Sequence, residues 1–368
     1  MPPRLSGEPG AGEDPVNSVR GSAKRLTRAF AERADARARR LPRLLVCPAQ
    51  PRRPPMVCYL CPDTNVPTGG VRVIYRHVDQ LNSAGIPAVV VHRRPGFSCT
   101  WFAHETKVMS AADAVLSPAD ILVVPEYYGP WMANLPPGLR VVIFNQNTYR
   151  TFTGRGAVAA LRRYAGSESL AAIVVISQDN AEYARYAFPG ARVALIRNSV
   201  DGSLFRPASR PGGRTIGYMP RRRGGDARQV LDLLELRGCT DGWDIVRIEG
   251  QPEEQVAEIF RTCSIFLSFS EQEGFGMPAA EAMASGCYVV GFTGLAGREF
   301  FQPDICSPVE EGNVLAFAQA AERAMADFDK DPQAVRARGL AASGRIRSCY
   351  SPKMQLDELR AFYTSLLC

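Results

Sequence analysis

Two apolar runs of strand length, residues 265–268 and 287–291, bracket a stretch that reads as a helix rich in small residues. Consecutive parallel strands need a crossover of this kind, so the segment predicts a βαβ unit, and with it a layered α/β fold. The helix should begin at Pro278, because proline has no amide hydrogen to leave unpaired in a first turn. Just before it, Gly274-Phe275-Gly276 forms a loop whose glycines allow close backbone approach, with Met277 following. Its amides would point at an anion above the helix start. Two carboxylates bracket this loop, Glu273 on the loop and Glu281 one turn into the helix, with seven residues between them. Carboxylates repel phosphate but accept hydrogen bonds from sugar hydroxyls. A diphosphate carrying sugars at both ends fits that arrangement.

The rest of the chain repeats the alternation. Strands are predicted at 56–61, 88–92, 121–125, 141–145, 172–177, 192–197, 215–218 and 245–248. Between them lie helical patterns, the first carrying Val71, Ile74, Val78 and Leu81 and ending at Gly85. Others fall at 156–164, 179–186, 226–237, 253–261, 311–328, 332–347 and 353–366. Such alternation predicts doubly wound, mostly parallel sheets, whose ligands collect beyond the C-terminal strand ends. That rule points to Gly69 and Gly70 at a helix mouth, to Glu126, and to the turn Asn145-Gln146-Asn147. It also points to Arg221, Arg222 and Arg223 after strand 215–218, where cations could face a phosphate.

At 368 residues the chain has room for two cores. Its net charge of +7 is carried by residues 1–55, with twelve Lys and Arg against five Asp and Glu. Residues 1–16 have the composition of disorder. Across 18–40 an apolar stripe of Val19, Ala23, Leu26, Phe30 and Ala34 is surrounded by arginines. That is the pattern of a helix lying on an anionic membrane, or of a solvated helix docked by its stripe, or of no ordered helix. Residues 42–55 read as a linker. No apolar run is long enough to span a bilayer, and no secretory leader is evident, so the expectation is a cytoplasmic protein, peripheral at the inner face of the plasma membrane if the stripe binds lipid. Ten cysteines include one C-x-x-C, Cys58 to Cys61, which falls inside a strand and reads as buried thiols. The acidic pairs Asp327 with Asp329 and Asp329 with Asp331 read as surface charge. The arginine cluster has no aromatic platform beside it, which argues against nucleic acid.

The run EQEGFGMPAAEAMASGCYVV resembles the E-x7-E signature of the group 1 (family 4) glycosyltransferases, retaining enzymes of the GT-B fold. TGGVRVIYRHVDQLNSAGIPAVVV is similar to their N-terminal glycine loop, and Asn198, Val200, Asp201 and Phe205 to the segment by which they leave the first domain. The resemblance spans roughly residue 58 to the C-terminus. It implies two Rossmann-like domains facing across a cleft: an extension at 1–55, an acceptor domain at 56–200, a donor domain at 201–350, and a terminal helix at 351–368 crossing back. It implies a nucleotide-diphosphate sugar as co-substrate, no metal, and a glycan, lipid or small-molecule acceptor. Glu281 would take the ribose and Glu273 the donor sugar, with Arg221 and Arg222 on the phosphates. The family commonly has an arginine and a lysine there, and many relatives a first-domain histidine. Here the three candidates are all arginine, and His77, His92 and His104 fall at no evident strand end. The same fold also serves nucleotide-sugar epimerases and phosphorylases, and a non-catalytic sugar-binding scaffold would keep it too.

Overall fold

The computed structural model describes residues 39–47, 53–154, 156–209 and 212–367. The predicted stripe at 18–40 lies almost wholly outside them. Leu41–Cys368 is one compact unit containing two large all-parallel sheets and a two-stranded parallel one.

The first sheet has seven strands in the order β4-β3-β2-β6-β7-β8-β9. These are β2 Val57–Leu60, β3 Ala88–His92, β4 Val108–Ser110, β6 Ile121–Pro125, β7 Arg140–Asn145, β8 Leu170–Val175 and β9 Val193–Leu195. The second has five, β11-β10-β12-β13-β14, formed by β10 Thr215–Tyr218, β11 Asp244–Arg247, β12 Ile265–Glu273, β13 Tyr288–Leu295 and β14 Ser307–Val309. The order reverses between β2 and β6 in one sheet and between β10 and β12 in the other. Each reversal opens a crevice beyond the strand ends, since successive crossover helices leave on opposite faces there. The loops after β2, β6, β10 and β12 therefore border the two crevices.

Strands covered on both faces read as continuous apolar runs, and β12 shows why. Ile265, Leu267 and Phe269 join the cluster on one face, where Phe269 stacks on Phe317 at 4.5 Å, while Phe266 joins the opposite core against Phe260. The C-x-x-C obeys the same alternation. Cys58 and Cys61 enter different cores on opposite faces of β2, an odd offset that no strand can bring to one metal or one disulfide.

Several boundaries differ from the sequence reading. β12 runs past residue 268 to Glu273, because pairing with β13 continues through Ser270↔Thr293 and resumes after a bulge at Glu273↔Leu295. Glu273 is thus a strand end rather than a loop residue. Part of the predicted linker is structured: β1 Leu45–Val46 pairs with β5 Val115–Leu116, and Arg53 forms an ion pair with Asp120 at 2.7 Å. His92 does end a strand, but it is fully buried, bonded to Tyr75 at 2.8 Å and to Asp63 at 3.2 Å.

The terminal helix α9, Pro352–Leu367, packs on α1, Gly69–Ser83. Leu359, Phe362, Tyr363 and Leu366 are its buried face. Two polar groups fix its register: the Tyr363 hydroxyl lies 2.7 Å from that of Tyr59, and Gln355 Nε2 donates to the Arg197 carbonyl at 2.8 Å. Tyr59 also reaches His77, which burial holds neutral with its pKa down at about 3. Tyr363→Phe should cost about 1 kcal/mol, one net hydrogen bond, since Tyr59 keeps its histidine partner. A urea-unfolding midpoint unchanged from the parent would refute that role.

Candidate active site

The site begins at the end of β12. A bulge between Ser270 and Glu273 bends the strand, with Gln272 at φ 44 and Leu295 opposite at φ 70. Non-glycine residues with positive φ are strained and cluster where a strand must re-aim a side chain. The side chain re-aimed here is Glu273. Its Oε1 lies 2.7 Å from Arg222 Nε, and its Oε2 accepts from Arg222 Nη2 at 3.3 Å.

Arg222 stands just before α4, Gly224–Leu236, at the C-terminal end of β10, the strand beside β12. The three arginines separate by role. Arg223 is engaged within its own half, donating to the Ser270 carbonyl at 3.2 Å, pairing with Asp226 and Glu311, and lying over the Phe292 ring. Arg222 is half-buried on Glu273, and Arg221 is exposed.

After Glu273 the chain turns through Gly274, Phe275 and Gly276 into α6, Met277–Ala284. The helix starts one residue ahead of Pro278, which is its second residue, and Gly276 caps it in the left-handed region at φ 93. Phe275 is turned inward against Phe300 and Tyr350, so only its backbone can face a ligand. Met277 is half-buried and packs on the same core. Glu281, 6% exposed, is the one carboxylate in an otherwise apolar helix face. Burial pushes its pKa up to about 7, against the pull of Arg72.

The first sheet meets this loop edge-on. Gln146 Nε2 donates to the Gly70 carbonyl at 3.2 Å, and Asn147 Nδ2 donates to the Gln272 carbonyl at 2.8 Å. The Gln146 carbonyl presses so closely on Gly274 that a Cβ there would sit 1.8 Å from it. Glu126, at the end of β6, accepts the Gln146 amide at 3.1 Å, and burial raises its pKa to about 7. Asn145 points the other way. It is buried and donates to Thr151 Oγ1 at 2.6 Å, because the side chain of the last strand residue alternates inward. Of the four acceptor-side candidates, Glu126, Gln146 and Asn147 gather at the cleft and Asn145 does not. Gly69 opens α1, whose cap Thr68 makes no side-chain bond to the free amides.

Residues not singled out from the sequence complete the cleft. Arg72, on α1, lies 2.6 Å from Glu253 and 3.6 Å from Glu281, and Arg76 lies 3.3 Å from Glu253. Glu299 accepts the Gln178 amide and the Tyr350 hydroxyl, each at 2.9 Å. Tyr149, Phe152 and Tyr183 form an aromatic cluster on the first-sheet side, with Tyr149 donating to Asp179 at 2.8 Å. Elsewhere, Asp331 caps the helix Pro332–Cys349 and Asp329 pairs with Arg214. Among the described residues, no group of three or more His, Cys, Asp or Glu is placed to hold a metal, and no helix is long and apolar enough to cross a membrane.

Residues 222–327, which hold Arg222, Glu273, the glycine turn and Glu281, match the family model described as glycosyl transferases group 1. Over that stretch the chain is similar to the group 1 glycosyltransferases. The chain is 27% identical over 286 residues to an alpha-1,6-glucosyltransferase of Actinobacillus pleuropneumoniae serotype 7, a match covering 73% of this chain and 83% of the relative. Its fold is GT-B, two Rossmann-like halves facing across a cleft. Sucrose-phosphate synthase from Thermosynechococcus elongatus superposes with a TM-score of 0.63 at 13% identity, covering 85% of this chain and 99% of that chain. HepE from Anabaena, solved in complex with UDP and glucose, gives 0.61 at 12% identity, covering 84% and 99%.

Proposed function

We propose that this protein is a glycosyltransferase that moves a hexose, with retention of anomeric configuration, from a nucleotide-diphosphate sugar held by the second half to an acceptor hydroxyl presented by the first. The observation that carries the reading is that Arg222 pairs with Glu273 at the strand end leading into the Gly274 turn, that this turn lies against Gln146 and Asn147, and that Glu281 on the following helix is reached by Arg72 from the first half. The diphosphate lies over the start of α6, where free amides and the helix dipole favour an anion. Glu281 accepts from the ribose hydroxyls and Glu273 from those of the donor sugar. Arg222 and Arg221 supply the cations, so no metal is needed to neutralise the leaving group.

In the reaction the bond from the anomeric carbon to the β-phosphate oxygen breaks and a bond to the acceptor oxygen forms on the same face. The acceptor's proton passes to the departing phosphate. Charge grows on that phosphate as the bond breaks, and fixed donors aimed at it lower the barrier more than they stabilise the bound donor. The acceptor side is bounded by Glu126, Gln146 and Asn147. UDP-glucose is the donor to try first, given the UDP and glucose seen in Anabaena HepE and the glucosyl transfer named for the Actinobacillus relative.

Thermal shift against UDP, GDP, ADP and TDP sugars identifies the base, because a ligand of the native state raises apparent stability. With the donor known, Glu281→Ala should raise its KM by about 10- to 100-fold, the loss of about 1.5–3 kcal/mol in hydrogen bonds to a charged acceptor. Glu273→Gln should act mainly on kcat. If neither substitution changes turnover, the enzymatic reading of these residues fails. Release of free epimer with no acceptor present would instead mark an epimerase.

A further inference from the structure

Glu281 belongs to the second half, yet the cations that reach it belong to the first. Arg72 and Arg76 are one turn apart on α1 and face α6 and the helix α5, Glu253–Thr262. Arg72 divides its guanidinium: Nη1 lies 2.6 Å from Glu253 and Nη2 lies 3.6 Å from Glu281 Oε1. Arg76 takes the other oxygen of Glu253 at 3.3 Å. Glu253 thus anchors both arginines and leaves one arm of Arg72 extended across the cleft to a carboxylate with almost no solvent around it.

We propose that Arg72 is a positioning residue of the donor site, reaching from the first half to keep Glu281 ionised and oriented, so that the ribose acceptor is completed only when the two halves close. The inference rests on the assignment of Glu281 to the donor ribose and adds to it the group that keeps it charged. Two cations one turn apart repel each other unless an anion faces them, and here two carboxylates do.

The sign of the effect follows from the charges around Glu281. Burial is the largest influence and raises its pKa, Arg72 and Arg76 lower it, and Glu253 raises it, with the balance at about 7. Removing Arg72 leaves burial and Glu253 opposed by Arg76 alone, so the carboxyl holds its proton to higher pH. A protonated carboxyl gives up acceptor capacity, and the ribose loses a charge-assisted bond. The deficit must therefore shrink as pH rises. An arginine that touched the diphosphate itself, or merely packed α1 against α6, would show a deficit independent of pH.

The test is calorimetric binding of UDP to the full chain between pH 6.5 and 9.5, with GDP, ADP or TDP substituted if the wild type binds one of those instead. Arg72→Met should bind about tenfold more weakly at pH 7, for a carboxyl pKa raised by one unit or more, and recover to within about threefold at pH 9.5. Arg72→Lys should stay near the wild type. Glu281→Gln should bind weakly without pH dependence, and Arg72→Met added to it should introduce none. Equal weakening of Arg72→Met at every pH, or none at all, overturns the proposal. A wild type that binds none of the four diphosphates at any pH overturns the donor-site reading itself.

Discussion

Arg222→Met is expected to lower kcat by about 10²- to 10³-fold while leaving the fold intact, the penalty for removing one preorganised donor from a developing negative charge. Three arginines follow β10, and only their surroundings tell them apart. Arg223 is committed to the Ser270 carbonyl, Asp226, Glu311 and the Phe292 ring, so Arg223→Met should be felt in stability. Arg221 is exposed, and a contact made by an exposed cation is screened by water, so Arg221→Met should cost under about tenfold. Arg222 is half-buried and, of the three, is the one paired with Glu273 at the strand end. When a donor enters, the guanidinium can turn from that carboxylate to the leaving phosphate without rebuilding the loop. Methionine keeps the stem and deletes the charge; lysine, a point charge without the planar fork, should recover only part of the rate. Single-turnover measurements at saturating donor separate chemistry from binding. A kcat within tenfold of the parent for Arg222→Met, with Arg221→Met inactive, would move the role to Arg221.

Much of this site was legible because its parts are local. The β12–α6–β13 unit shows in the sequence as two apolar runs, a glycine pair and a proline, and the carboxylate spacing reads directly. What could not be read is whatever depends on partners far along the chain. The polar run after Phe269 carries no strand signal, yet pairing to β13 extends β12 to Glu273. Phe275 looks like a ligand-facing loop residue until Phe300 and Tyr350 are seen to enclose it. Asn145 and Gln146 look alike in a turn, but strand alternation sends one inward to Thr151 and the other to Gly70. Arg72 and Arg76 did leave a trace: two like charges at a spacing of four share one side of the helix Gly69–Ser83 and are best placed against an acidic surface. That surface, Glu253 and Glu281, sits in the other half and has no local signature.

Gly274→Ala should lower kcat by about 10²-fold with little change in the unfolding midpoint, because it strikes the contact between the halves and neither core. A methyl at this position would lie 1.8 Å from the Gln146 carbonyl oxygen, 2.8 Å from its carbon and 3.2 Å from Asn147 Cα. All three are backbone atoms, so no rotamer change relieves the clash. The halves must part by about 1 Å or more, and a misplacement of that size between reacting groups costs about 10²-fold in rate. Gly274 is not among the positive-φ glycines, so alanine brings no conformational strain of its own and the effect reports the contact alone. Gly276 is the matching control. It sits at φ 93 with its nearest neighbour for a Cβ at 3.7 Å, so Gly276→Ala should strain the helix cap by about 1 kcal/mol without pushing the halves apart. Steady-state kinetics and urea unfolding on the two variants should therefore move in opposite senses, rate for one and stability for the other. If Gly274→Ala keeps kcat within about threefold, the close approach of Gln146 to the glycine turn is not the arrangement in which transfer occurs.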